Sequence, residues 1–418
     1  MYQKITLSNG ARLLTQAVPG VRSAALGFYV GVGSRHERAE ESGAAHFIEH
    51  MLFKGTGRRS AAQLARDTDT IGGQFNAYTT KEHTCFYART LDRHLDLGLD
   101  ILTDMLFHSR FDQGDVEMER EVILGEIGMY EDNPEDLVFE RLSAAAYQDS
   151  PLARPILGRE STLSGMTGEW LRQWQRERYH AGTLVAALAG SFTDRQVELL
   201  TRTLAQLPRG EEAGTAPSAY RPAVTARKKA IEQNHLLLAY PAPTYLDERR
   251  PQAALLNALL GGGCSSRLFQ ELREARGLCY STYSTIDNHA DTGLIAIYAA
   301  VSPERERDAL DAAREIVQTL AEHGPGQEEL ERVREQAKAN LLLSTESVQN
   351  RMNQLGGQTT LYGQVLEVDE LLERYDAVTR EQVRELAQEM FRPDMASLSA
   401  VGQVGEPEDY ARWLGMSS

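Results

Sequence analysis

The chain has 418 residues, 42% of them hydrophobic and 25% charged, an ordinary globular composition with length for roughly two to four domains. Its 44 basic and 60 acidic side chains leave a net charge of −16, which repels phosphate backbones and anionic headgroups, so neither nucleic acid nor a membrane is expected as a partner. No apolar run reaches the ~18 residues of a membrane span, and the start of the chain carries no secretion or transit pattern. The 3 cysteines form no C-x-x-C pair, which argues against a disulfide framework or a thiolate metal cage and for a cytoplasmic setting.

In chain order, 24–32 reads as a strand. His46-Phe47-Ile48-Glu49-His50 follows, inside a segment whose apolar spacing predicts a helix over 43–54, with Ser42 as N-cap and Gly55 as stop. Two histidines four apart lie on one helical face and can reach one cation, with Glu49 beside that face to contact a water. A catalytic zinc ion needs a third ligand from elsewhere. Residues 74–89, preceded by Gly72-Gly73, read as strands. The run 116–127 then predicts a helix in which Glu119 and Glu126, seven apart, share a face, while Val122 and Ile123 pack into the core. Either carboxylate could bind the metal, with the other orienting a ligand.

The polar Pro/Gly/Ser stretch 208–218 reads as a connection. Beyond it the pattern returns: strand-like 235–240 and 293–301, then amphipathic helices. A shift of 212 positions carries Glu119-Arg120 onto Glu331-Arg332, Thr167-Gly168-Glu169 onto Thr379-Arg380-Glu381, and 179–190 onto 391–402. This predicts an α+β fold in two homologous domains, each a mixed or antiparallel sheet packed against helices, arising by tandem duplication. The expected boundaries are 1–210, a linker 211–224, and 225–418. Cys264 and Cys279 are expected to be buried, and Gly261-Gly262-Gly263 to be a loop or a close helix packing.

H-x-x-E-H, a glutamate 76 residues past His50 and another seven before it resemble the pitrilysin/insulysin (M16) zinc metallopeptidases, in the short-chain branch that includes the mitochondrial processing peptidase β subunit and homodimeric bacterial relatives. Further matches are 33–37 (GSRHE), 74–79 (QFNAYT), Glu82-His83-Thr84 and 266–280. The resemblance implies His46, His50 and Glu126 as zinc ligands, Glu49 as general base and Glu119 as a supporting acid. It also implies substrate contacts from the edge strand at Phe75, Asn76 and Ala77, and from Arg273 and Tyr280. The same shift of 212 puts Ala258, Gly261, Gly262 and Lys338 where His46, Glu49, His50 and Glu126 stand, so the second half is expected to be metal-free, with one Zn2+ per chain. The activity so implied is a zinc endopeptidase acting on unfolded peptides within a homodimeric clamshell, with Arg273 and Tyr280 offered to the other subunit. A non-catalytic scaffold or heterodimer partner is the alternative, and the intact ligand set speaks against it.

Overall fold

In the computed structural model, residues 2–211 and 214–416 are described, and they form two compact units. The first contains a six-stranded sheet of β1 (Gln3–Thr6), β2 (Arg12–Ala17), β3 (Ser23–Val30), β4 (Gln74–Thr79), β5 (Thr84–Leu91) and β6 (Leu184–Gly190). Its order is β1-β2-β6-β3-β5-β4, antiparallel except for the parallel pair β2 and β6. Strand β4 therefore lies on a sheet edge.

Both faces of this sheet are covered, which explains why β3 and β6 read as unbroken apolar runs instead of alternating ones. On one face Leu26, Phe28 and Phe86 join Phe47, Ile48 and Leu52 in the main core. On the other, Tyr29 and Cys85 meet Met352 and Leu355 of the helix Val348–Tyr362. A Cβ at Gly356 would overlap the Tyr29 ring, so glycine permits the close approach that brings the Tyr29 hydroxyl 2.7 Å from Asn353 Oδ1.

The second unit repeats this plan. Its strands are β7 (Val224–Lys228), β8 (Asn234–Pro241), β9 (Cys279–Asn288), β10 (Gly293–Val301) and β11 (Ser397–Gly402), ordered β7-β11-β8-β10-β9. That is the order of β2-β6-β3-β5-β4, with the parallel pair in the same place. The tandem α+β duplication is thus a property of the fold. One face of the second sheet carries the larger core, and the other is closed by Leu137, Val138 and Leu142 of the helix Pro134–Ala146.

The compact units are not contiguous halves. Residues 128–153 belong to the second unit and 342–366 to the first, so each half lends the other a helix that lines one sheet face. Apolar periodicity shows that a helix has a face to bury, not which sheet buries it. Positions 212 and 213 of the expected linker lie outside the described residues. From Pro217 the connection is already part of the second unit: Ser218 is buried, its amide 2.7 Å from Asp291 Oδ2, and β7 begins at Val224. Among the described residues no helix is long and apolar enough to cross a membrane.

Candidate metal centre

The first histidine-bearing helix runs Ala44–Met51. It is shorter than 43–54, and its N-cap is Gly43 at φ +98°, not Ser42, whose hydroxyl is buried without a hydrogen-bond partner. The capping group comes from further back in sequence. Glu37 accepts from the amides of Gly43 (2.9 Å) and Ala45 (2.8 Å), placing a buried carboxyl at the positive end of the helix dipole. Burial pushes Glu37 up to about 8, opposed by those two amides and by Arg154.

Within this helix the His46 and His50 rings meet edge-on, with centroids 4.6 Å apart. The helix Gln113–Asp132 supplies the acidic partners. Glu126 Oε2 lies 3.7 Å from His46 Nε2 and 3.5 Å from His50 Nε2. Two ligands at roughly 2.0–2.1 Å from a tetrahedral ion stand about 3.3 Å apart, so this set fits a zinc ion without rearrangement of the backbone. It is the one His/Cys/Asp/Glu group among the described residues whose ligand atoms converge, all within 4.8 Å. Burial, and then the neighbouring His50, hold His46 down to about 3, which keeps a lone pair available on the imidazole.

Glu119 takes the supporting position. Its Oε2 is 3.0 Å from His50 Nδ1, on the ring edge away from Glu126, and its Oε1 pairs with Lys54. Of the two carboxylates seven apart, Glu126 faces the Nε2 edge of the His50 ring and Glu119 the Nδ1 edge. Ile123 is buried as expected, whereas Val122 is not: it stays 47% exposed on the flank of the helix.

Glu49 lies beside the metal face and accepts a hydrogen bond from Thr79 Oγ1 at 2.6 Å. Burial raises its pKa, and the Thr79 hydroxyl and His50 oppose the rise. Thr79 ends β4, the strand that carries Phe75, Asn76 and Ala77. Phe75 is half-buried, Asn76 exposed and Ala77 buried. Thr80 N–H pairs inward with His83 O, and alternation from there turns the Ala77 N–H outward, where Asn76 Oδ1 takes it at 2.9 Å. The free edge of β4 thus has a donor held by a displaceable side chain.

The 33–37 motif braces these parts. Ser34 and Arg35 amides bond Thr80 and Lys81 carbonyls, and the buried Arg35 pairs with the half-buried Glu82 at 2.5 Å. A Cβ at Gly33 would overlap the Thr80 carbonyl, so only glycine lets the segments close. His83 accordingly has a local structural role, its Nδ1 3.1 Å from Thr80 Oγ1. No local pattern in the sequence marks the contacts made by Lys54, Thr79, Glu37 and the Arg35–Glu82 pair.

In the second unit Arg273 and Tyr280 come together: the guanidinium carbon lies 5.2 Å from the Tyr280 ring centroid and 4.7 Å from that of Phe269. Tyr280 is 76% exposed. Cys279 is buried, but Cys264 is exposed, contrary to expectation, because it falls in the turn after the helix Arg250–Gly261.

The insulinase (peptidase family M16) model matches residues 12–160, and the peptidase M16 inactive-domain model matches 165–337. A zinc protease of Bacillus subtilis, YmxG, described as uncharacterized, is 39% identical over 397 residues, covering 95% of this chain and 97% of its own. The chain belongs to peptidase family M16. An uncharacterized zinc protease of Streptomyces coelicolor is 38% identical, with 97% of this chain and 90% of that protein covered. Among solved structures, a Pseudomonas fluorescens protein titled peptidase M16 inactive domain superposes with TM-score 0.90 at 21% identity, covering 97% of this chain and 99% of that one. A Helicobacter pylori protease gives 0.88 at 19%, covering 96% and 99%. The M16 fold thus extends over nearly the whole chain.

Proposed function

We propose that this M16 protein is a zinc-dependent metalloendopeptidase that hydrolyses unfolded peptides or short presequence-like polypeptides. The convergence of His46, His50 and Glu126, with Glu49 beside them, carries the reading. A zinc ion held there supplies Lewis acidity toward a peptide carbonyl and toward water. Glu49 accepts the proton of the attacking water and delivers it to the departing amine nitrogen. Glu119 keeps the His50 ring turned so that Nε2 points to the ion. The β4 edge seats the substrate as an added strand, with Ala77 N–H exchanging Asn76 Oδ1 for a substrate carbonyl, a mode that selects for extended chains more than for sequence.

Arg273 and Tyr280 supply donors for the substrate backbone or the developing oxyanion, and we assign them to a homodimer in which one subunit's pair serves its partner's metal centre. One Zn2+ per chain and a cytoplasmic setting belong to the same reading. Purified protein incubated with a mixed peptide library, with and without phenanthroline, and read by mass spectrometry, tests the activity: chelator-sensitive cleavage within chains is expected, and cleavage indifferent to chelator would overturn it. Light scattering tests the dimer, which a fully active monomer would refute.

A further inference from the structure

We propose that Thr79 is a positioning residue for Glu49, so that the strand which seats the peptide also fixes the carboxylate that takes the proton. This rests on the peptidase reading and deepens it. Thr79 Oγ1 donates to Glu49 Oε2 at 2.6 Å. A hydroxyl can donate one proton, and here the other possible acceptor, Thr84 Oγ1, is at 3.4 Å and itself donates to Val32 O at 2.9 Å. The Thr79 proton therefore goes to Glu49. The two hydroxyls thus donate in opposite directions, Thr84 to the Val32 carbonyl and Thr79 to the carboxylate, on buried or half-buried atoms that water does not freely replace.

The carboxylate needs this help. Among the described residues Glu49 has no ion-pairing cation, and its side chain is held by the hydrogen bond from Thr79. A glutamate has three side-chain torsions, and the bond to one oxygen limits how the carboxylate turns beside His50 and Glu126, both within its electrostatic reach. Thr79 is also the residue at which β4 stops, two positions beyond Ala77, whose outward amide is offered to a peptide. Two positions along a strand return to the same face and edge, so a peptide paired at Ala77 stiffens the backbone that carries the Thr79 hydroxyl.

The variants are Thr79→Val, which keeps the branched shape without the donor, and Thr79→Ser, which keeps the donor. With zinc loaded, Thr79→Val is expected to retain the metal and the melting temperature of the parent. KM for an unfolded peptide should stay within about twofold while kcat falls on the order of 10- to 100-fold, the scale of a misplaced catalytic group. Thr79→Ser should restore most of kcat. A second readout stands apart from activity: crystal structures of the zinc-loaded proteins should show one Glu49 conformer in the parent and Thr79→Ser, and several in Thr79→Val. An unmoved Glu49 in Thr79→Val, or a loss seen in KM alone, would overturn the assignment. A parent protein that cleaves nothing strikes the peptidase reading, while the conformers of Glu49 still decide the role of Thr79.

Discussion

Nδ1 of His50 stands 3.0 Å from Oε2 of Glu119, while Nε2 of the same ring faces Glu126. The carboxylate accepts from Nδ1–H and so fixes both the tautomer and the ring plane, leaving the lone pair on the metal side. Lys54 pairs with the other oxygen of Glu119, so the carboxylate is held from both sides.

Removal of this support should weaken metal binding without removing a ligand. Glu119→Ala is expected to lower zinc affinity on the order of 10- to 100-fold. Lys54→Met should move it in the same direction by less, because the ammonium acts at one remove and is partly exposed. Titration against a chelator of known affinity measures both. Equal affinity in Glu119→Ala and the parent would reduce Glu119 to an ordinary helix residue.

Glu49 and His50 should separate chemistry from metal retention. Glu49→Gln keeps the shape and the Thr79 hydrogen bond but cannot accept a proton, so it should hold one zinc per chain and lose at least about 100-fold in kcat. His50→Ala should lose the metal as well as the activity. Metal analysis by mass spectrometry beside peptide turnover distinguishes them, and brisk turnover by zinc-loaded Glu49→Gln would exclude the general-base role.

The ligand helix was legible from sequence because two histidines four apart with an acid between them are rare, and helical periodicity puts them on one face. The choice between Glu119 and Glu126 was not, since residues seven apart share a direction and only the third dimension tells which reaches Nε2. Glu37, Arg35, Glu82 and Lys54 were illegible for a different reason. Each is an ordinary charged residue in composition, and its role comes from a partner that the fold, not the local pattern, brings near. The same holds for the exchanged helices Pro134–Ala146 and Val348–Tyr362, whose apolar faces are evident but whose destinations are not. The repeated strand order, by contrast, was implicit in the constant shift, because homologous segments fold into the same ladder.

The brace around the centre contains two imidazoles, His83 buried and His36 half-buried, that should make stability depend on acid. Burial first, and then Arg35, holds His36 down to about 4, with Glu82 opposing. Burial likewise holds His83 down to about 4, with Glu82 opposing. Each is depressed in the folded chain relative to an unfolded value near 6.5, so the folded state binds fewer protons between those limits. Their contribution is therefore complete above about pH 6.5 and declines as pH falls toward 4, by up to about 1.4 kcal/mol per pH unit for each group. In chelator, His36→Asn/His83→Gln should melt below the parent at pH 7, and the gap should narrow steadily toward pH 4. A gap that stays constant over that range would mean that neither imidazole is held neutral by the fold.

The counterpart of the metal centre in the second unit is closed by packing and not merely stripped of ligands. The shift that carries Glu49 onto Gly261 places it at the end of the helix Arg250–Gly261, where an added Cβ would overlap the amide and hydroxyl of Ser284 in β9. Ser284 Oγ in turn donates to Asn257 Oδ1 at 2.7 Å, fastening strand to helix at the point where the first unit leaves room for a carboxylate. Lys338, in the position of Glu126, is engaged by Asp376 at 2.9 Å. Gly261→Ala should therefore destabilise the protein by about 1–3 kcal/mol, the usual cost of overfilling a packed contact. The expected signature is a lower denaturant midpoint with an unchanged slope, and zinc content and Glu49-dependent turnover should be preserved. An unshifted midpoint would show that strand and helix have slack between them, and that grafting His, Glu and His onto 258, 261 and 262 with Glu at 338 has space in which to build a second metal site.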